Sequence, residues 1–443
     1  HFRLRMVELL KVRLIKSNRK MDVDIAGSLE GEFVCDSNEA LEFKLVRSVE
    51  DIGNDQASFK PEMSHQIFGD NESIFGYKGL RVKLYYSACR LTMYLGQEYE
   101  AVVDPDTFDG VEPDNILQLI QEKLQIPHVI SNVDEFVKAL KDDESFQPFG
   151  DKLTSFQDGN KTYEIYHCDT SNQKFLNFHE RLQTFILFYI DAASYIDTDD
   201  SKWQFFVLYE NYKSQSGAEC HAVVGYCTVY EYYAYPDRTR PRVSQMLVLP
   251  PFQRRGLAVH LLCSIYQHYR GIDGVSDITV EDPNEEFQHL RDYVDASLCS
   301  GLDSFSLDKL RQGFSPEMAT EACLKFKINK KQARRVYEIL RLKETNVHDD
   351  SDFSSFRLDV KRRLNIPFQK ETALIKKLKS QLEEDPQLAT ALGLKTPEQR
   401  FDTLDKMFTD NRMLSTPVLA TQQLMGTFEN TGKVLITFLP TPL

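Results

Sequence analysis

At 443 residues the chain is too long for one ordinary hydrophobic core, so two or three domains are expected. Hydrophobic residues make up 42% and aromatic residues 11%, enough to build such cores. With 53 basic against 67 acidic residues the net charge is −14, which argues against autonomous binding to nucleic acid and fits cationic partners or plain solubility.

No apolar stretch reaches bilayer-crossing length; the longest, Thr184 to Ile190, is core-sized, so a soluble protein without a membrane segment is expected. The eight cysteines form no CxxC pair and the ten histidines no HExxH pattern, so reduced core thiols and no metal are expected. The chain opens without Met on a basic, acid-poor stretch, and folding is expected to begin near Met21.

In chain order, Leu80 to Tyr86 puts Leu80, Val82, Leu84 and Tyr86 on one face, the period-two mark of a half-buried strand. Asn132 and Glu135 form a capping pair ahead of a helical stripe of Val133, Phe136, Val137 and Leu140. The polar stretch Lys141 to Lys152 reads as a linker. Then come a strand (Thr162 to Cys168), an amphipathic helix (about Lys174 to Ser194) and an aromatic strand (Trp203 to Tyr209). Strands Ala222 to Ala234 and Arg242 to Leu249 succeed it, then a helix to about Arg270, a strand (Asp277 to Glu281) and a helix ending near Ser300. Alternating strand and helix make this a mixed α/β layer. After Gly301 helices dominate; the basic run Lys325 to Arg335 reads as a solvated helix face or a binding surface, and Leu374, Ile375, Leu378 and Leu382 mark one further helical piece. The division expected is 21–147, 148–300 and 301–443, the last helical.

The most informative stretch is QMLVLPPFQRRGLAVH, residues 245–260, where a strand stops at two prolines and a helix starts behind one glycine. A helix N-terminus offers unpaired amides and partial positive charge, so a phosphate can sit there. Gly256 lets backbone approach such a group, and Arg254 and Arg255 add charge at the rim. No Gly-Lys-Ser/Thr comes after it and only one Rossmann glycine could be matched, so neither the Walker nor the dinucleotide pattern applies. Gln253-Arg254-Arg255-Gly256-Leu257-Ala258 resembles instead the Gln/Arg-x-x-Gly-x-Gly/Ala turn of the GNAT N-acetyltransferases.

The wider strings RPRVSQMLVLPPFQRRG, TVYEYYAYPDRTR, DITVEDPNEEFQHLRDYV, FKINKKQARRVYEILRL and HQIFGDNESIFGYKGL are similar to the type B histone acetyltransferase catalytic subunits, from about Leu41 to Leu342. The resemblance implies a GNAT fold with a mixed central sheet, an N-terminal α/β domain and a C-terminal helical domain. It implies acetyl-CoA as co-substrate, held by Gln253, Arg254, Arg255, Gly256, Leu257, Ala258 and Val259, with Met246, Leu247 and Val248 along the thioester arm. Asn284 matches a cofactor contact and reads equally as a helix cap.

A protonated lysine is a poor nucleophile, and removing its proton at pH 7 costs roughly 4.6 kcal/mol. A carboxylate near the amine, its pKa raised by burial, can accept that proton. The resemblance gives this role to Glu281, at the end of a strand. Asp282 reads as catalytic support and, ahead of Pro283, as a helix N-cap. Asp191, in YIDAAS, stands where the family carries a glutamate and is an auxiliary base or an acidic helix flank.

For a cationic histone tail the resemblance points to Asp70, Asn71 and Glu72 and to Tyr230, Glu231 and Tyr232, which otherwise read as a surface turn and an aromatic strand. It further implies lysine acetylation on the tail of newly made, free core histone four by direct attack in a ternary complex, a WD-repeat histone chaperone as partner, and residence in cytoplasm and nucleus. Another protein or small-amine acceptor, and a non-catalytic histone-binding module, are the competing readings.

Overall fold

A computed structural model of the chain describes residues 31–106, 108, 110–382, 398–410 and 412, with no side-chain detail over 375–382. The expected start of folding near Met21 and the side chains of Ile375, Leu378 and Leu382 therefore lie outside the described residues, while Leu374 is exposed. The described chain separates into two compact units. The first runs to Ser201 and adds Val207–Gly225 and Leu249–Phe252; the second comprises Lys202–Phe206, Tyr226–Val248 and the chain from Gln253 onward.

The first unit is built on a five-stranded sheet of β1 (Leu41–Val46), β2 (Ser58–Phe59), β3 (Arg81–Ser87), β4 (Met93–Glu98) and β5 (Val129–Ile130), in the order β2-β1-β3-β4-β5. Val82, Leu84 and Tyr86 of β3 are fully buried, as their alternation predicts. Tyr85, on the opposite face, is buried too, because it packs with Val46, Tyr94, Phe136 and Leu140, so this strand is covered on both sides rather than half-exposed. The short helix α1 (His65–Phe68) precedes a surface turn, and α2 (Val133–Asp143) supplies Phe136 and Leu140. Asn132 caps α2 by accepting the amides of Asp134 and Glu135.

The stretch that reads as a linker is anchored. Asp143, at the end of α2, is buried and accepts from Ser87 Oγ at 2.9 Å, the Cys89 amide at 2.9 Å and the Arg90 amide at 3.1 Å. Phe146 is buried and stacks on Phe178. Two residues that need partners outweigh a polar composition.

A second, six-stranded sheet keeps chain order: β6 (Asp151–Asp158), β7 (Lys161–Asp169), β8 (Trp203–Lys213), β9 (Glu219–Ala234), β10 (Arg238–Val248) and β11 (Thr279–Val280). The hairpin strand β6 is not legible in sequence, since its residues are all exposed or part-exposed and show no apolar alternation. Between β7 and β8, α3 (Gln173–Leu182) passes through one 3-10 turn into α4 (Ile186–Tyr189). The helix expected to reach Ser194 stops there because Ile190 turns extended, at φ −129°, and Ala192 enters the left-handed region at φ +54°.

The antiparallel run ends with β10 and β11 paired in parallel, connected through α5 (Leu257–Arg270). Parallel neighbours require such a crossover, and the carboxyl ends of parallel strands are where α/β folds open a crevice. Beyond come α6 (Glu285–Cys299), α7 (Pro316–Phe326), α8 (Lys330–Lys343) and α9 (Asp350–Leu364), the helical C-terminal region expected from the sequence. The basic run 325–335 divides: Lys325, Lys330 and Lys331 are exposed, as a solvated face would be, while others are held by partners. Lys325 pairs with Glu321, Lys327 Nζ donates to the Val275 carbonyl, Arg334 meets Glu338 and Asp359, and Arg335 meets the fully buried Asp292. No helix among the described residues is long and apolar enough to cross a membrane.

Candidate active site

Strand β10 alternates cleanly near its end: Val243, Gln245 and Leu247 are buried while Ser244, Met246 and Val248 are part-exposed. The chain then turns through Pro250–Phe252, with Phe252 buried, and the Gln253 side chain donates back to the Val248 carbonyl at 2.9 Å. Arg254 and Gly256 both lie in the left-handed region, at φ +59° and +75°. Gly256 is the N-cap of α5 and its carbonyl takes the Val259 amide at 3.0 Å. A glycine cap carries no side-chain oxygen, so none folds over the first amides of the helix. Leu257 faces the core with Leu261, Leu262 and Ile265, which fixes the rotation of α5; Arg254 is exposed, and Arg255, Ala258 and Val259 are partly so.

β10 and β11 pair only at Arg242↔Thr279 and Val243↔Val280, with the Glu281 amide donating to the Val243 carbonyl at 2.9 Å. Past these positions β11 ends while β10 runs on to Val248. Ser244 Oγ donates to Glu281 Oε2 at 2.8 Å. The expected burial of Glu281 is not found: the residue is exposed. Asp282 comes next at φ +28°, a strained position for a residue with a side chain. The expected capping by Asp282 is not found. The cap of α6 is Asn284, whose Oδ1 accepts the Phe287 amide at 2.9 Å, because the turn at Asp282 delays the helix by two residues.

On β9, Tyr230 meets Trp203 edge-on at 5.0 Å and Tyr232 at 4.5 Å, and Arg242 lies over Tyr232 at 4.6 Å. The Glu231 amide donates to the Lys202 carbonyl. Tyr232 is 39% exposed and Tyr233 and Tyr235 more so, giving an aromatic strip that solvent reaches.

The first unit holds a separate open cleft of about 400 Å³ lined by Met63, His65, Asp70, Glu72 and Asp191. Glu72, itself at φ +48°, accepts the Ser64 and His65 amides through Oε1, at 2.6 and 3.0 Å, and Asn38 Nδ2 through Oε2. The Ser64 amide, foremost, and then Asn38 and His65 hold its carboxyl below the usual range despite some desolvation. His65 lies between two carboxylates, with Nδ1 3.7 Å from Glu72 and Nε2 3.2 Å from Asp191. Asp191 is in the turn after α4, 77% exposed at its side chain, not on a helix; Asn71 is exposed and outside the lining.

The structure thus gathers Asp70, Glu72 and Asp191 in one place and Glu281 with the end of β10 in another. Sequence reasoning misses His65, Met63 and Ser244. His65 stands inside the HQIFGDNE string, and Ser244 sits two residues before Met246 on the same strand. No group of three or more His, Cys, Asp or Glu that could hold a metal occurs among the described residues.

Residues 33–191 match the family described as "Histone acetyl transferase HAT1 N-terminus", and residues 291–342 match "Histone acetyltransferase type B catalytic subunit, C-terminal". The histone acetyltransferase type B catalytic subunit of Homo sapiens is 45% identical over 354 residues, which cover 79% of this chain and 84% of the human one. That of Mus musculus is 43% identical over 385 residues, covering 84% and 92%. Among solved structures, an aminoglycoside acetyltransferase from an uncultured soil metagenomic sample matches 29% of this chain and 82% of its own, with 17% identity and a TM-score of 0.22.

Proposed function

This chain belongs to the histone acetyltransferase type B catalytic subunits, and from that premise we propose a specific reaction and a role for each part of the site. It acetylates a lysine in the N-terminal tail of newly synthesised, free core histone four, by direct attack of the amine in a ternary complex. Acetyl-CoA, when bound, supplies an activated thioester. Two observations support it: α5 starts behind a glycine cap with no side chain over its first amides, and β10 runs on past its last pair with β11.

The amides of Gly256, Leu257 and Ala258 receive the pyrophosphate, with Gln253, Arg254 and Arg255 at the rim and Val259 alongside on the first turn of α5. Met246, Leu247 and Val248 offer backbone groups along the open edge to the pantetheine arm, and Asn284 adds a side-chain contact. Glu281 accepts the ammonium proton directly or through one water; Ser244 holds its carboxylate. Asp282 supports that turn. In the first unit Asp70, Asn71 and Glu72 contact the cationic tail and Asp191 is an auxiliary base; in the second, Tyr230, Glu231 and Tyr232 contact the tail. A WD-repeat histone chaperone delivers the substrate, and the enzyme works in cytoplasm and nucleus.

The single observation that carries the reading is the bond from Ser244 to Glu281, which sets a carboxylate beside the strand that leads into the Gly256 turn. Its test is steady-state acetylation by the full chain of three acceptors: a histone-four tail peptide, a short neutral peptide and a polyamine. The tail peptide should have the highest kcat/KM, and Glu281→Gln should lower its kcat by about 10²–10⁴ at neutral pH with acetyl-CoA affinity kept. Preference for the neutral peptide or the polyamine would reassign the acceptor, and an acetyl-cysteine enzyme trapped during turnover would contradict direct attack.

A further inference from the structure

Arg291 is a buried arginine on α6, 5% exposed, and the proposed chemistry makes no use of it. Its Nη2 donates to the Ile278 carbonyl at 3.1 Å, and its Nε lies 3.4 Å from Asp295 Oδ2 on the next turn. Burial opposes the charge, but Tyr266 on α5, together with Asp295 and Asp292, more than offsets this and raises the guanidinium pKa. One side chain on α6 therefore holds the segment entering β11, and α6 itself packs on α5, the helix that opens at Gly256.

Ile278 is held at both backbone groups. Its amide donates to the Lys327 carbonyl at 2.8 Å, and its carbonyl also takes Asn329 Nδ2 at 3.4 Å. Asn329 in turn caps α8, whose Gln332 and Arg335 reach the buried Asp292, one residue past Arg291. This clamping has a reason. β11 has only two residues, too few to set its own direction, and Glu281 comes immediately after it. Three extended residues span about 10 Å, so a tilt of about 6° at Ile278 moves Glu281 by about 1 Å. Misplacing a catalytic group by that much can cost about 10²-fold in rate.

We propose that Arg291 is a positioning residue for acetyl transfer, fixing the approach of Glu281 relative to the cofactor helix. The inference rests on Glu281 being the base. It gives the C-terminal helices a part in the chemistry as the mount of that carboxylate.

The experiment uses the full chain with acetyl-CoA and a histone-four tail peptide, comparing Arg291→Met and Arg291→Lys, each checked by circular dichroism and thermal melting. Arg291→Met should bind acetyl-CoA within about threefold of the wild type by calorimetry while kcat falls about 10- to 100-fold. Arg291→Lys, which keeps a donor but cannot hold both partners, should fall between. In the Glu281→Gln background Arg291→Met should cause little further loss, since the two act through one carboxylate.

A wild-type kcat in folded Arg291→Met overturns the proposal; should that variant not fold, a wild-type kcat in Arg291→Lys does so. So does a loss that appears equally in acetyl-CoA affinity, or one fully additive with Glu281→Gln. Full activity of Glu281→Gln alone is a different failure, one that removes the base assignment on which the inference rests.

Discussion

Ser244 and Glu281 stand 37 positions apart and are joined at 2.8 Å just past the last backbone pair of β10 and β11. An exposed glutamate at a strand end has several rotamers open to it, and a hydroxyl donor selects one. Ser244→Ala should therefore lower kcat by about 3- to 10-fold at saturating cofactor, well short of the effect of removing the carboxylate, with melting temperature unchanged. Steady-state kinetics decide this, and a Ser244→Ala enzyme with full kcat would show that the hydroxyl does not orient the base.

Gly256 occupies a conformation that a β-branched residue enters only with strain of roughly 1–2 kcal/mol. Gly256→Val should lower the melting temperature by a few degrees and weaken acetyl-CoA about tenfold in a calorimetric titration. Gly256→Asn tolerates the same backbone and should restore stability. If it also restores affinity, conformation is what the turn needs; if not, the cofactor requires the missing Cβ.

In the first-unit cleft, Glu72 and Asp70 should part company. Glu72 holds two amides of the loop before it, so Glu72→Ala should cost about 1 kcal/mol of stability, read as a lower urea midpoint. Asp70 is exposed in the turn, so Asp70→Asn should leave that midpoint in place and raise KM for the tail peptide about 3- to 10-fold, with KM for acetyl-CoA unmoved. An unchanged peptide KM would remove Asp70 from the tail's path.

His179 is fully buried, and burial depresses its pKa to about 3. Between pH 6.5 and that value the unfolded chain binds this proton and the folded chain does not. The contribution of His179 to stability is thus whole above about pH 6.5 and is lost as pH falls toward 3. At pH 5 the loss is about 2 kcal/mol. Urea titrations at pH 7 and pH 5 should show a smaller acid loss in His179→Leu than in the wild type; equal losses would mean the ring is protonated in the native state.

Legibility in the sequence tracks the range of the interactions. The β10 to α5 turn is written in neighbouring residues, in a strand that ends at prolines and a glycine that opens a helix, and it forms as expected. The link from Ser244 to Glu281 depends on a parallel register between strands separated by a whole helix, which no local pattern encodes. Asp282-Pro283 has the pattern of a helix start, yet a left-handed turn at Asp282 passes the cap to Asn284. The apolar spacing that suggests a helix carrying Asp191 runs on through Ile190, but the backbone turns extended there and the helix ends short. β6 lacks alternation, and His65 acquires meaning only once Glu72 and Asp191 stand on either side of it.

The carboxamide of Asn284 has two ends with different obligations. Its oxygen is engaged by the Phe287 amide, so what it can offer to anything arriving at the head of α6 is its nitrogen, a pure donor. An aspartate would secure the helix equally well while presenting negative charge in place of a donor. The choice between two isosteric side chains at this position is therefore a choice about the visitor's charge, made at no expense to the helix.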